Sequence, residues 1–344
     1  MSDQSLAILS AGPALSVQDL GRPGLAAQGL SRGGALDPLA LWEAAVLLGL
    51  PAPVAAIEMP GMGGRFTATT PMRIALTGAP MQAAIDGRPV AWHAAHPLSP
   101  GQELSIGGAL RGTTGYLTPG CGLATPEEMG SRAAHLAARI GRLLRAGDRL
   151  PVLADRSPTE PARALRPDPR FDGGTLRVLP GPQTALFTKE MIAAFEAARF
   201  TRGPRSNRQA IQIAGLSADA PAWHVASGGL ASEPIQAGDI QITGDGTPFV
   251  LAAECQTIGG YPRIGSVHPE DMGLLVQCPA GAPLRFRFLD AAELAAARQP
   301  SPSERRRDIA RRMAPLLRDP ASMADLLSYQ LISGVTAGDD LDRD

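Results

Sequence analysis

Lysine is almost missing from this 344-residue chain: Lys189 is the only one, so 31 of its 32 basic side chains are arginines. A Schiff-base enzyme or a lysine-bearing phosphate loop would need that one residue, yet it lies in LFTKEMIAAF, a surface-like helix start. Any anion bound here falls to arginine forks and backbone amides. Aromatic residues make up only 4%. The three cysteines, Cys121, Cys255 and Cys278, show no CxxC spacing, and their odd number fits no closed disulfide framework, which predicts a reducing, cytoplasmic setting. No apolar run reaches the roughly eighteen residues of a membrane span. The start, MSDQSLAILSAGP, carries no apolar core flanked by cations, so no secretory signal is expected. Net charge is −1, with 32 basic against 33 acidic residues, and gives no field favouring nucleic acid or an anionic membrane. The common nucleotide and hydrolase signatures (GxxxxGK[ST], the dinucleotide fingerprint, GxSxG and HExxH) are absent. His93 and His96 are the only close histidine pair and lack a spaced third ligand, so no metal site is predicted.

What is abundant is punctuation. Glycine (39) and proline (32) are spread along the chain, as expected for many turns and short strands. RIALTG, ELSIGG, TLRVLPG, DIQITGDG, PFVLAAE and LRFRFL each read as a strand closed by turn residues. Helical pattern is confined to the stretch opened by Asp37-Pro38, to SRAAHLAARIGRLL, to TKEMIAAFEAARF and to the arginine-rich end. The fold class expected is mainly β (α+β), two β-barrel lobes with inserted helices and a helical tail. Residues 1–152 form the first lobe, 153–172 a proline- and arginine-rich linker, 173–290 the second lobe and 291–344 the tail.

Two strips concentrate chemistry. SVQDLGRPGLAAQGLSRGGALDPLAL admits two readings: an anion nest of amides near Gly33 and Gly34 with Arg22 and Arg32 beside it, or a glycine-rich turn with Asp37 capping a helix whose first residue is Pro38. In the second lobe, AAECQTIGGYPRIGSVHPED admits a structural hairpin but reads first as a ligand loop. Gln256 and Thr257 offer polar groups, Gly259 and Gly260 allow close backbone approach, Tyr261-Pro262 stiffens the turn and Arg263 offers a fork. Cys255 reads as a packed thiol or, less simply, a nucleophile.

The strings SVQDLGRPG, SRGGALDPLAL, ALTGAP, GSRAAHL, LRAGDRLPV, LRVLPGPQTALF, GDIQITGDGTPFVL and CQTIGGYPRIGSV resemble the biotin-dependent carboxyltransferase family, in order from Leu6 to Leu289. That family holds the C-subunit of bacterial ATP-dependent 5-oxoprolinase, allophanate hydrolase subunit two and part of the urea carboxylase carboxyltransferase domain. The resemblance implies two cyclophilin-like subdomains, a companion carboxyltransferase-family subunit of B type, an amidohydrolase-like subunit of A type, ATP with or without Mg as cofactor, and a cyclic amide as substrate. Biotin enters only in the alternative of a urea or amide carboxylase, carried on another chain, since no Met-Lys-Met is present here. A regulatory binding protein is a further alternative.

Carried over, the family pattern falls on Gln18, Asp19, Gly21, Arg22, Ser31, Gly34, Asp37, Gly130, Ser131, Arg132, Gln256, Thr257, Gly259, Gly260, Tyr261 and Pro262. The resemblance together with the residue chemistry gives Gln256, Thr257, Glu254 and Asp19 as catalytic candidates. Substrate-binding candidates are Arg208, Asn207, Gly259, Gly260, Tyr261, Arg263, Gln18, Arg22, Ser31, Arg32, Asp37, Ser131 and Arg132. The chain departs from the pattern twice: Asn207 stands where relatives commonly have aspartate, and Glu254-Cys255 where many have Asp-Arg. The lost cation shifts the expected hold on the substrate's anionic end to Arg208 or Arg263.

Overall fold

The computed structural model describes residues 4–158, 163–216, 223, 225 and 230–315. The first lobe carries β1 (Ser5–Ala11), β2 (Ser16–Gln18), β3 (Ala56–Pro60), β4 (Gly64–Ala68), β5 (Met72–Gly78), β6 (Met81–Ile85), β7 (Arg88–Pro89), β8 (Ala94–Leu98), β9 (Glu103–Ala109), β10 (Thr114–Pro119), β11 (Arg149–Pro151) and β12 (Arg163–Leu165). The second carries β13 (Gly174–Leu179), β14 (Phe200–Ser206), β15 (Ala210–Gly215), β16 (Glu233–Pro234), β17 (Asp239–Ile242), β18 (Pro248–Leu251), β19 (Ile258–Gly259), β20 (Arg263–Val267) and β21 (Leu284–Phe288), and a last strand, β22 (Met313–Pro315), follows. The helices are α1 (Pro38–Leu47), α2 (Lys189–Ala197), α3 (Met272–Gln277), α4 (Ala291–Ala296) and α5 (Pro302–Ala310).

In the first lobe, a sheet ordered β11-β1-β4-β9-β6-β7 stacks on one ordered β2-β3-β10-β5-β8-β12-β22. One apolar core lies between them, with Leu6, Ile8, Phe66 and Leu104 from the first sheet meeting Ile57, Ile74, Leu76 and Leu117 from the second. The second lobe closes as a barrel, β13-β20-β17-β18-β15-β14-β21, around Leu176, Val178, Phe200, Ile240, Val250 and Phe286. The closure removes free strand edges from that barrel.

The six strands read from sequence are present, as are the helices at Pro38–Leu47 and Lys189–Ala197. Thr188 caps the latter by accepting from Met191 N. The helix expected over SRAAHLAARIGRLL does not form. Only a single 3-10 turn, Leu136–Ala138, occurs there, because His135 and Ile140 pair as a β-bridge, and Arg139 (φ +58) and Gly141 (φ +65) take left-handed conformations. The stretch read as a linker, 153–172, contains β12, which pairs with β8, and buried Arg170 and Phe171. The tail forms α4 and α5 on either side of the proline break, both with capping boxes, and returns to pair β22 with β12. Its end, MADLLSYQLISGVTAGDDLDRD, lies outside the described residues.

Helix α1 is apolar on most of its surface, and it packs against β5 on one side and α5 on another. Its one acid, Glu43, is fully buried. Arg170 answers it with both terminal nitrogens (3.1 and 2.8 Å) and reaches Asp37 through Nε at 2.8 Å, while Gln277 of α3 donates to the same Asp37 oxygen at 2.8 Å. Asp37 therefore does not cap α1. It ties the first lobe to the second through a buried ion network.

His93 adjoins that network and donates through Nε2 to Gly78 O at 2.9 Å. Burial lowers it from 6.5 to about 4, against the upward pull of Glu43. The unfolded chain therefore takes up this proton first as pH falls. Stability is complete above pH 6.5 and is lost toward pH 4, by about 3 kcal/mol at this one site. His93→Asn, which tolerates the left-handed φ of +53, is expected to remove most of that slope in urea titrations at pH 7 and pH 4.5. An unchanged slope would show that the loss arises elsewhere.

Candidate functional site

The glycine-rich strip crosses itself at two glycines. A β-carbon on Gly21 (φ +75) would lie 2.5 Å from Arg32 O, and one on Gly34 (φ +83) would lie 2.6 Å from Gly21 N, so only glycine permits the crossing. Four of the amides that an anion nest would draw on are engaged: Gly33 N donates to Ala253 O, Ala35 N to Asp19 O, Leu36 N to Glu58 Oε2 and Asp37 N to the Tyr116 hydroxyl. At these positions the strip is a structural crossing.

Asp19 holds that crossing to the loop before Ala133. Its Oδ1 accepts from Gly21 N (2.7 Å) and Ser131 Oγ (2.6 Å), and its Oδ2 accepts from Arg132 N (2.7 Å). Gln18, fully buried, donates to Ser16 Oγ and Ala134 O. Arg22 is 1% exposed and donates only to main-chain carbonyls. The structure thus gathers Gln18, Asp19, Arg22, Ser131 and Arg132 into one cluster. Arg32, by contrast, lies at the surface and donates to Leu20 O.

A second cluster spans the seam between the lobes, with Arg208 at its centre. Its Nε donates to Glu254 Oε1 (2.5 Å), its Nη1 to Glu58 Oε1 and its Nη2 to Gly34 O (2.6 Å). Glu58, on β3, also accepts at Oε2 from the Tyr116 hydroxyl (2.7 Å) and Leu36 N (2.8 Å). Glu254 Oε2 accepts from Ala137 N (2.9 Å) and stands 3.9 Å from His135 Nδ1. His135 Nε2 in turn meets Ser31 Oγ at 2.9 Å. Burial keeps His135 below its ordinary pKa despite Glu254. Burial and the adjoining Glu58 carboxylate raise Tyr116 well above its ordinary value, so its hydroxyl stays a donor. Burial opposes the Arg208 charge, yet Glu58 and Glu254 outweigh it and raise its pKa further. With neutral imidazole, the seam holds one cation against two buried carboxylates, which favours positive charge or a proton over an anion.

Neither arginine expected to hold an anionic end is free. Arg208 is enclosed by its two acids, and Arg263 donates to Glu233 Oε2 (2.5 Å), Pro234 O (2.7 Å) and Asp239 Oδ2 (3.3 Å). Asn207 Oδ1 accepts from Gln209 N (2.7 Å) and Ala210 N (3.1 Å), forming the turn between β14 and β15. An aspartate would offer the same acceptor, so this departure preserves the local geometry. Cys255 is buried, and burial with nearby Asp239 pushes its thiol up to about 11, which leaves it a packed thiol near neutral pH. Beyond Cys255 the chain emerges into solvent. Gln256 and Tyr261 are exposed, Thr257 is half-buried, and no side-chain hydrogen bond engages any of them among the described residues. Gly259 is required by packing, since a β-carbon there would meet Gln241 Nε2 and Ile235 Cδ1 at 2.8 Å, whereas Gly260 has room.

Glu58, Tyr116 and His135 were not singled out by sequence reasoning. An acid inside the otherwise apolar string AIEMP was the available signal for the first, and His135 lies in the quoted string GSRAAHL.

The family model described as carboxyltransferase domain, subdomain A and B, matches residues 28–288. The chain is 33% identical to the 5-oxoprolinase C-subunit of Escherichia coli over 300 residues, 86% of this chain and 94% of that relative. It is 32% identical to the protein of the same name from Haemophilus influenzae, covering 83% and 91%. A putative urea carboxylase of Emericella nidulans is 28% identical over 81% of this chain but only 24% of its own length. Among solved structures, TTHA0988 superposes with a TM-score of 0.74 at 30% identity, and the chain spans about half (56%) of that protein. The Kluyveromyces lactis urea amidolyase shares the fold at a TM-score of 0.71 and 22% identity. With a family match over most of its length and end-to-end relatives above 30% identity, the chain belongs to the carboxyltransferase family of subdomains A and B.

Proposed function

We propose that this chain is a subunit of an ATP-dependent 5-oxoprolinase, a cytoplasmic complex that hydrolyses a cyclic amide together with two partner subunits, one of the companion carboxyltransferase family and one amidohydrolase-like. One observation carries the reading: the match to the 5-oxoprolinase subunits runs through 94% of that relative, whereas the urea carboxylase match occupies a quarter of a much longer protein. The site supports a role for the Glu254–Tyr261 loop. Glu254 is fixed at the seam by Arg208, and two residues later Gln256 and Thr257 leave it with unengaged polar side chains. Donors held in place act on the oxygen that gains negative charge when an amide is opened, a role these two side chains would take once a bound substrate orders them. His135, neutral and bonded to Ser31, is the group at the seam best suited to take or give a proton.

The one lysine is exposed on α2, so a phosphate met by this chain would be met by arginines and backbone amides.

The test is ATP hydrolysis and glutamate release by the chain co-expressed with its partners, with and without 5-oxoproline. Stimulated turnover is expected, and Gln256→Ala in an intact complex should lower it by about a hundredfold. A well-folded complex without turnover would shift the reading to carboxyl transfer from biotin on another chain, which the urea carboxylase likeness favours next.

A further inference from the structure

The proposed reaction leaves Asp19 and Arg22 without a role, and the structure gives them one: they fix a hairpin. Glu128 N donates to Ser131 O (2.9 Å) and Ser131 N to Glu128 O (3.3 Å), closing a two-residue turn of Met129 and Gly130. Both turn residues take positive φ (+51 and +79), the pattern of a type I′ turn, which favours asparagine, aspartate or glycine at its first position. Methionine there sits in an unfavourable backbone state. The stem is held from within the lobe. Arg22, 1% exposed, donates to Glu128 O (3.3 Å) and Ser131 O (3.4 Å), and Asp19 accepts from Ser131 Oγ (2.6 Å) and Arg132 N (2.7 Å). The tip projects. Pro126 to Gly130 are all exposed, Met129 by 55%, and a β-carbon on Gly130 would meet nothing within 4 Å. A rigid stem thus carries an apolar side chain into solvent at a backbone cost, directly after the exposed acids Glu127 and Glu128. Beside it opens a cavity of about 440 Å³, bordered by Glu128 and walled on one side by Val17, Ile140 and Leu144. Arg149 of β11 also borders the cavity and is exposed, and neither it nor Glu128 forms an ion pair among the described residues. An acidic knob and an apolar hole edged by a free cation therefore lie side by side on one face. Such a pair is self-complementary: about a twofold axis each copy gives one knob and receives one. Methionine, long and unbranched, suits an irregular apolar hole.

We propose that two copies of this chain associate through this face about a twofold axis. Met129 of each enters the cavity of the other against Val17, Ile140 and Leu144, and Glu128 of each comes beside Arg149 of the other. The association uses the first lobe alone, and neither 5-oxoproline turnover nor any other subunit enters it.

Sedimentation velocity of the full-length chain between about 1 and about 100 µM tests it, a range in which weak and standard interfaces both register. The mass is expected to rise from one copy to two and no further. Met129→Asn places the favoured Asn-Gly pair in the turn, so its Tm should equal or exceed the parent's while association weakens at least about tenfold, a combination that damage to the fold cannot give. Arg149→Glu should weaken association by a similar factor, and Glu128→Arg combined with Arg149→Glu should restore it. If Met129→Asn lowers the Tm, the charge exchange alone decides. A chain that stays monomeric throughout, parental association in Met129→Asn or Arg149→Glu, a charge exchange that restores nothing, or growth beyond two copies overturns the proposal.

Discussion

Replacing Arg208 with methionine is expected to destabilise the chain by about 3–5 kcal/mol, because it leaves two buried carboxylates, Glu58 and Glu254, without their shared cation. Methionine retains much of the side-chain volume, so the effect is electrostatic more than a cavity. Two of the three bonds Arg208 makes reach the first lobe, at Glu58 and Gly34, and the third reaches Glu254 of the second. Its removal therefore weakens the seam as well as the local charge balance. The arrangement predicts strong non-additivity: combining Arg208→Met with Glu58→Gln and Glu254→Gln should cost much less than the sum of the separate changes, since no buried charge is then orphaned. Urea unfolding measures both effects. A single-variant loss below about 1 kcal/mol, the usual worth of an exposed pair, would mean that water reaches the cluster.

Arg170→Met should have an effect of similar size, about 3–5 kcal/mol, because it leaves fully buried Asp37 with Gln277 alone and fully buried Glu43 with only the longer Arg312 pair at 3.5 Å. It has a second, independent signature. Arg170 pushes the His93 pKa down and Glu43 pulls it up. Without Arg170, the Glu43 and Asp37 charges act on His93 with less opposition, the imidazole titrates closer to its ordinary value, and the acid-side loss at His93 shrinks. A large loss of stability with an unaltered His93 titration, followed by NMR, would place the damage in packing and not in charge.

Much of the β architecture was legible because period-two alternation and terminal glycines are local properties: LRFRFL and RIALTG announce strands without knowledge of their partners. The helix expected at Ser131–Leu144 failed for the converse reason. Its alanines, leucines and arginines satisfy helical propensity, yet the β-bridge between His135 and Ile140 and the left-handed Arg139 and Gly141 hold it otherwise. Site residues divide in the same way. Gln18, Asp19, Arg22, Ser131 and Arg132 could be named from their strings, and they do converge, but what they touch depends on the fold. Asp19 is encircled by donors and Arg263 by acids, and neither condition is encoded near them in the chain. Glu58 and Tyr116 lie 58 residues apart and meet only because β3 pairs with β10.

The pairing of β22 with β12 means that the chain enters and leaves the second barrel side by side, Leu165 opposite Met313. A body hung on one strand can swivel freely about it, whereas one hung on a paired ribbon resists torsion and yields chiefly by bending. The barrel is in effect a loop excursion from the edge of the first lobe's sheet, held back against it by Arg208 at the seam and by Gln277 at Asp37. A cut on either crossing would leave the barrel attached by the other.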